Sequence, residues 1–132
     1  MELLQFPLEP AFDVAAGFAA LETWVQGYYD GVEADREATY EDNYTFEPET
    51  VEQASVGALC GVAYGFSGID GSGQEVERLR GYATYDRNSL YLFIALYDAA
   101  IASEMGFRDA ASLHEFEPYF GQLIAALRLP VE

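Results

Sequence analysis

The sequence predicts a mixed α+β fold: an N-terminal helix, a small antiparallel sheet from the middle of the chain, and C-terminal helices. Apolar residues recur at helical spacing near both ends, while alternating or continuous apolar stretches broken by Gly- and Asp-rich turns fill the middle. The length, 132 residues at 14.6 kDa, fits one compact core, so residues 1–132 are read as a single acidic globular domain. An all-α bundle is the alternative.

Val14, Phe18, Leu21, Val25 and Tyr28 define the first helix, with Asp13 as its N-cap and Gly31 just past its end. The stretch from Thr39-Tyr40 to Thr45-Phe46 has the composition of a short strand pair or an extended loop. Thr50-Val51-Glu52-Gln53 has the form of a capping box behind Pro48, which predicts a short helix. Gly57, Gly61 and Gly65 are four apart, as on one helix face, yet Val56, Ala58, Cys60, Val62, Tyr64 and Phe66 alternate as in a strand. Three interior helix glycines each cost about 1 kcal/mol relative to Ala, so a helix giving way to a strand near Gly61 is expected.

Residues 68–73 read as a loop between two β-prone stretches. Residues 76–85 lead through Asp86-Arg87-Asn88-Ser89 into the apolar run 90–97, which reads as a hairpin with a buried second strand; a helix starting at Ser89 is the rival. The Ala-rich residues 99–105 end at Gly106, and Ser112-Leu113-His114-Glu115 is a second capping box. From there Phe116, Phe120, Leu123, Ile124 and Leu127 keep helical spacing up to Pro130, with Pro118 near enough to the start to be tolerated or to split the segment.

Charge decides what the domain meets. Asp and Glu number 23 against six Arg and no Lys, for a formal charge of −17. Such a chain attracts basic partners and repels nucleic acid and anionic membrane, and six scattered arginines make no basic stripe. The longest apolar run has eight residues, too short to cross a bilayer, and Met1-Glu2-Leu3-Leu4-Gln5-Phe6-Pro7 lacks the features of a signal peptide. A soluble, cytoplasmic protein is expected, so Asn43-Tyr44-Thr45 is read as a chance match to the glycosylation pattern. Cys60, the one cysteine, excludes an internal disulfide and any cysteine-cluster metal site.

The chemical motifs each have a plainer reading. His114 sits two positions into a capped helix with no Ser, Cys or Asp framing a nucleophile, and is read as solvated. Residues 70–75 lack the alternating oxygen ligands of a calcium loop, and the glycines at 71 and 73 belong to no phosphate-binding pattern, since Val76 stands in place of the third glycine, the chain has no lysine, and Glu75 and Glu77 would repel a phosphate. Arg78 and Arg80 beside those glutamates read as surface ion pairs on a solvated face. No catalytic residue, metal or cofactor is nominated, and no enzymatic activity is expected.

The stretch that remains is acidic. Ten acids lie between Glu22 and Glu52, with Tyr28, Tyr29, Tyr40 and Tyr44 among them. Salt adaptation spreads charge over the whole surface, whereas carboxylates interleaved with tyrosines have the makeup of an interface. The candidate partner-binding residues are Asp30, Glu33, Asp35, Glu37, Tyr40, Glu41, Asp42, Tyr44, Glu47 and Glu49, which would pair with Lys and Arg of a basic, nucleic-acid-binding protein.

In size and acidity the chain is similar to phage and mobile-element proteins that block restriction or CRISPR machinery. That resemblance implies a non-enzymatic inhibitor that mimics nucleic acid. An immunity protein or antitoxin against a cognate toxin, and a structural protein of a viral assembly, are the alternatives. Arg80-Gly81-Tyr82-Ala83-Thr84-Tyr85-Asp86 with Leu90-Tyr91-Leu92-Phe93-Ile94 resembles a hairpin in the nuclease-like domain of some phage-resistance proteins. Arg80 stands where those proteins place an acid, so the resemblance implies the hairpin and no activity.

Overall fold

The computed structural model describes residues 2–7, 17–86 and 89–128. Along the chain run β1 (Glu2–Pro7), α1 (Phe18–Tyr40), a 3₁₀ turn (Glu41–Asn43), β2 (Tyr44–Pro48), β3 (Glu52–Val56), β4 (Leu59–Asp70), β5 (Glu75–Tyr85), β6 (Ser89–Asp98) and α2 (Ala110–Ala125). The fold is mixed α+β and the all-α alternative fails. All pairings are antiparallel in the order β1-β6-β5-β4-β2, and β3 shares the outer edge of β4 with β2. β2 takes residues 66–70 of β4 and β3 takes residues 59–63.

Side chains of a strand alternate between faces, and here each face has its own helix. Leu21, Val25 and Tyr29 of α1 pack on Val62, Tyr64, Phe66, Leu79 and Ala83. On the opposite face Leu113, Phe120 and Ile124 of α2 pack on Ala63, Tyr82, Phe93 and Ala95. The central strands are therefore buried on both sides, which removes the polar half of the alternation and leaves runs such as 90–97. That run is strand β6, and the rival helix at Ser89 is not formed.

Several local expectations give way to pairing. α1 does not stop at Gly31 but continues to Tyr40, because Val32 packs on the core and Arg36 bonds to β5. Asp13 and Val14 lie outside the described residues. Thr39-Tyr40 belongs to the end of α1, and only residues 44–48 form a strand. The capping box at Thr50 starts no helix: Val51 and Val56 are buried and the free edge of β4 accepts β3, so backbone groups are satisfied across strands.

The helix expected to run into Gly61 is not formed either. Gly57 sits at φ +59 in the first position of the two-residue β3–β4 turn, where hairpin twist calls for positive φ. Gly61 and Gly65 are strand residues with neighbouring carbonyls packed where a Cβ would stand. β4 runs on to Asp70, so the loop narrows to residues 71–74, where the Asp70 carboxylate accepts the Ser72 and Gln74 N–H groups at 2.9 and 3.0 Å.

Among the described residues the C-terminal part holds one helix instead of several. Residues 99–105 form turns. Asp109, not Ser112, caps α2 by accepting the Ser112 N–H at 2.7 Å, so the helix starts earlier than the capping box suggests. Pro118 lies inside α2 on its exposed side and does not divide it. β1 has no counterpart in the sequence reading.

Two glycines separate packing from propensity. A Cβ on Gly81 would lie 2.5 Å from Cζ of the fully buried Tyr64, so Gly81→Ala is expected to destabilise the domain by about 1–3 kcal/mol through overpacking. Gly27 has open space around it in mid-α1, and Gly27→Ala is expected to stabilise by about 0.5–1 kcal/mol. Denaturant midpoints of the two variants check both signs.

Candidate functional site

The acidic half of α1 is held in place from beneath. The Glu77 carboxylate, 4% exposed in β5, receives the Arg36 guanidinium on both oxygens, from Nε at 2.9 Å and Nη2 at 2.6 Å. The Tyr44 hydroxyl donates to the same carboxylate at 2.7 Å. Its ring lies where a Cβ on Gly68 would stand, so that glycine gives it room. The bond to Glu77 pushes the Arg36 pKa up, and burial followed by the same bond pushes the Tyr44 pKa well above its ordinary 10.0. Two α1 turns before Arg36, the Tyr29 hydroxyl fills the gap between β2 and β3. It accepts the Gly65 N–H at 2.9 Å and lies 3.0 Å from the Glu49 carbonyl.

Arg78 follows Glu77 in β5 and so points to the other face. Its guanidinium, 7% exposed in its side chain, donates to Glu117 of α2 from Nε at 2.8 Å and pairs with Glu49 as well. Arg80 reaches the other oxygen of Glu49 at 2.8 Å and lies 5.4 Å from the Tyr82 ring centroid. The reading of Arg78 and Arg80 as solvated surface pairs is thus corrected. Strand alternation turns the charges of β5 inward on both faces, and the helices supply their partners.

The ten candidate residues separate accordingly. Asp30, Glu33, Glu37 and Glu41 are exposed and spaced 3, 4 and 4 residues apart, which aligns them along one outward stripe of α1 and its C-cap. Asp42 and Glu47 are exposed just beyond it. Among the described residues, none of these six carboxylates takes part in an ion pair. Asp35 lies on another side of the helix and pairs with Arg36. Glu49 faces inward on Arg78 and Arg80. Tyr40, 39% exposed, stacks on Tyr44 with centroids 5.2 Å apart and planes 13° apart.

The end of α1 is unfavourable by itself. Carboxylates crowd the negative pole of the helix dipole, and no basic residue occupies its last turn. Glu41, the C-cap, sits at φ +55 and is the one non-glycine residue of positive φ among the described residues. Such a conformation costs about 1–3 kcal/mol unless the surroundings enforce it.

Other groups with chemical potential are engaged elsewhere. Both ring nitrogens of the exposed His114 face carboxylates, Nε2 at 2.8 Å from Glu75 and Nδ1 at 3.3 Å from Glu117. Cys60 is exposed on β4, beside a cavity of about 450 Å³ at the start of α1 lined by Phe18, Leu21, Gln53, Ser55 and Tyr85. Among the described residues no group of His, Cys, Asp and Glu could hold a metal ion, and no helix is long and apolar enough to cross a membrane.

The chain matches no protein-family model, no curated protein and no solved structure.

Sequence reasoning missed Arg36, Glu77 and Arg78 as the residues that build the site. The available signal was a run of charges inside a strand whose flanks are apolar, a place where isolated charges are costly.

Removing one member of a buried pair strands the other. Glu77→Gln and Arg78→Ala are each expected to cost about 3 kcal/mol, against less than about 0.5 kcal/mol for the exposed Arg108→Ala. Urea midpoints measure the difference.

The tyrosines predict an alkaline limit. Burial raises the pKa of Tyr28, Tyr29 and Tyr44, so the unfolded chain loses these protons first, and stability is full below about pH 10 and falls as pH rises beyond it. Thermal melts between about pH 8 and 11 are expected to show that fall, and Tyr44→Phe to reduce it.

Proposed function

We propose that this protein is a non-enzymatic inhibitor whose α1 end docks in the groove that a basic protein uses for nucleic acid. It is of the anti-defence kind that phage and mobile elements direct at restriction or CRISPR systems. The observation that carries the reading is the stripe of Asp30, Glu33, Glu37 and Glu41. It spans about 16 Å at a rise of about 1.5 Å per residue, roughly one charge every 5 Å, against one per 3.4 Å along a DNA strand.

Two features support docking over mere solubility. The nearby cation Arg36 is bonded inward, so the stripe keeps its full charge at a helix end that already repels it. Lys and Arg of a partner relieve that repulsion. Beside the stripe, the Tyr40–Tyr44 stack is anchored through Glu77 and offers a rigid ring face on which a guanidinium can lie. Little side-chain ordering is then left for binding. Asp35, Asp42 and Glu47 add charge at the margin, while Glu49 works internally.

The test uses a partner recovered from a cell extract at low salt and displaced by duplex DNA. Replacing Glu37, Glu41 and Asp42 by Lys is expected to lower affinity at least about 100-fold, near 3 kcal/mol, while reversing Asp98, Asp109 and Glu115 changes it less than about fivefold. Affinity is expected to fall steeply with salt. Equal losses from both triple variants would reduce the effect to net charge, and no loss from the first would remove the stripe as the site.

A further inference from the structure

We infer that the outward face of α2 is a self-association surface, on which two copies of this chain pair with their helices antiparallel. In a chain of net charge −17, residues 118–127 contain no charged side chain. Two of the large apolar residues that the domain exposes, Tyr119 at 64% and Leu123 at 49%, lie one turn apart in this segment. Glu115, Tyr119, Gln122 and Ala126 are all exposed and spaced 4, 3 and 4, the spacing of a seam between two helices.

The charges at the ends select the occupant and its direction. Glu115 precedes the uncharged segment and Arg128 follows it, both exposed. Antiparallel pairing about Gly121 sets Tyr119 of one copy against Leu123 of the other and puts Glu115 at the level of position 127, next to Arg128 just past the opposite helix end. Parallel pairing would bring like charges together. α2 also covers the sheet face opposite α1, so pairing here leaves the two acidic α1 stripes pointing away from each other. Any closer approach of those stripes adds like-charge repulsion.

Salt separates this association from docking to a basic partner. The two rim pairs are worth about 0–1 kcal/mol each, less than the general repulsion between two chains of −17, so screening strengthens pairing. Binding of a basic partner changes in the opposite direction, so either idea can fail without the other.

The experiment is sedimentation equilibrium of the full chain from about 5 to 200 µM at about 50 and 500 mM NaCl, where the Debye length falls from over 10 Å to below 8 Å. The mass is expected to climb towards twice 14.6 kDa with concentration, and further at the higher salt. Leu123→Asp combined with Tyr119→Ser, both at exposed positions, is expected to stay monomeric with an unchanged circular dichroism spectrum. Glu115→Arg is expected to weaken pairing severalfold, and adding Arg128→Glu to restore it. A monomer at every concentration and salt overturns the proposal. So does a dimer that survives Leu123→Asp, or one lost only on reversing the α1 acids.

Discussion

Two neighbouring residues of β5, Glu77 and Arg78, fix the arrangement of everything around them. Their side chains leave the strand on opposite faces, so one holds α1 through Arg36 and the other holds α2 through Glu117. Apolar contact alone leaves a helix tolerant of small slides, since one aliphatic surface replaces another at little penalty. A buried charge is less forgiving: displaced from its partner it loses several kcal/mol, and a guanidinium on two carboxylate oxygens has a single good geometry. The two pins thereby set the positions of both helices along the sheet. Glu49 adds the strand edge to the same network, because it joins Arg78 and Arg80 while its backbone N–H bonds to Gly65 at 2.8 Å.

This placement also shapes the outer surface. Arg36, Arg78 and Arg80 are half of the six arginines, and their guanidinium groups face carboxylates within the fold. The three arginines and their partners Glu49, Glu77 and Glu117 cancel in charge, so the net −17 of the chain is carried by the groups outside this network. The exposed second half of α2 is uncharged. The domain thus presents an acidic helix on one side of its sheet and, on the other, a helix whose second half carries no charge.

The sequence disclosed this fold unevenly, for physical reasons. Periodicity located the body of α1 through Phe18, Leu21, Val25 and Tyr28 and the buried Phe120 and Ile124 of α2, and the apolar run at 90–97 marked β6, because burial writes directly into composition. Local polar signals were less faithful. Thr50 and Ser112 both head capping boxes, yet the first precedes a strand and the second lies inside a helix already capped by Asp109. A capping box satisfies two N–H groups, whereas strand pairing along β4 satisfies a whole edge. Gly31 failed as a stop for a similar reason, since Arg36 and Val32 beyond it contribute more than one exposed glycine costs. Within the candidate site, Asp30, Glu33, Glu37 and Glu41 were legible by spacing once a helix was granted. The inward turn of Glu49 was not, because its partners are 29 and 31 positions away in the chain.

The end of α1 shows why the pins and the acidic stripe belong together. A helix terminus with carboxylates on its negative pole, no basic residue and a cap at positive φ tends to fray. Arg36 stands one turn before the terminus at Tyr40, and Tyr44 stands just after the 3₁₀ turn, so Glu77 grips the chain on both sides of the unfavourable stretch. Fraying there would expose a buried carboxylate's partners as well as the helix turn, which links the cost of losing the acidic geometry to the cost of breaking a buried ion pair. The strain and repulsion at the surface are therefore sustained from within the sheet, and the carboxylates stay in a fixed row without cations of their own.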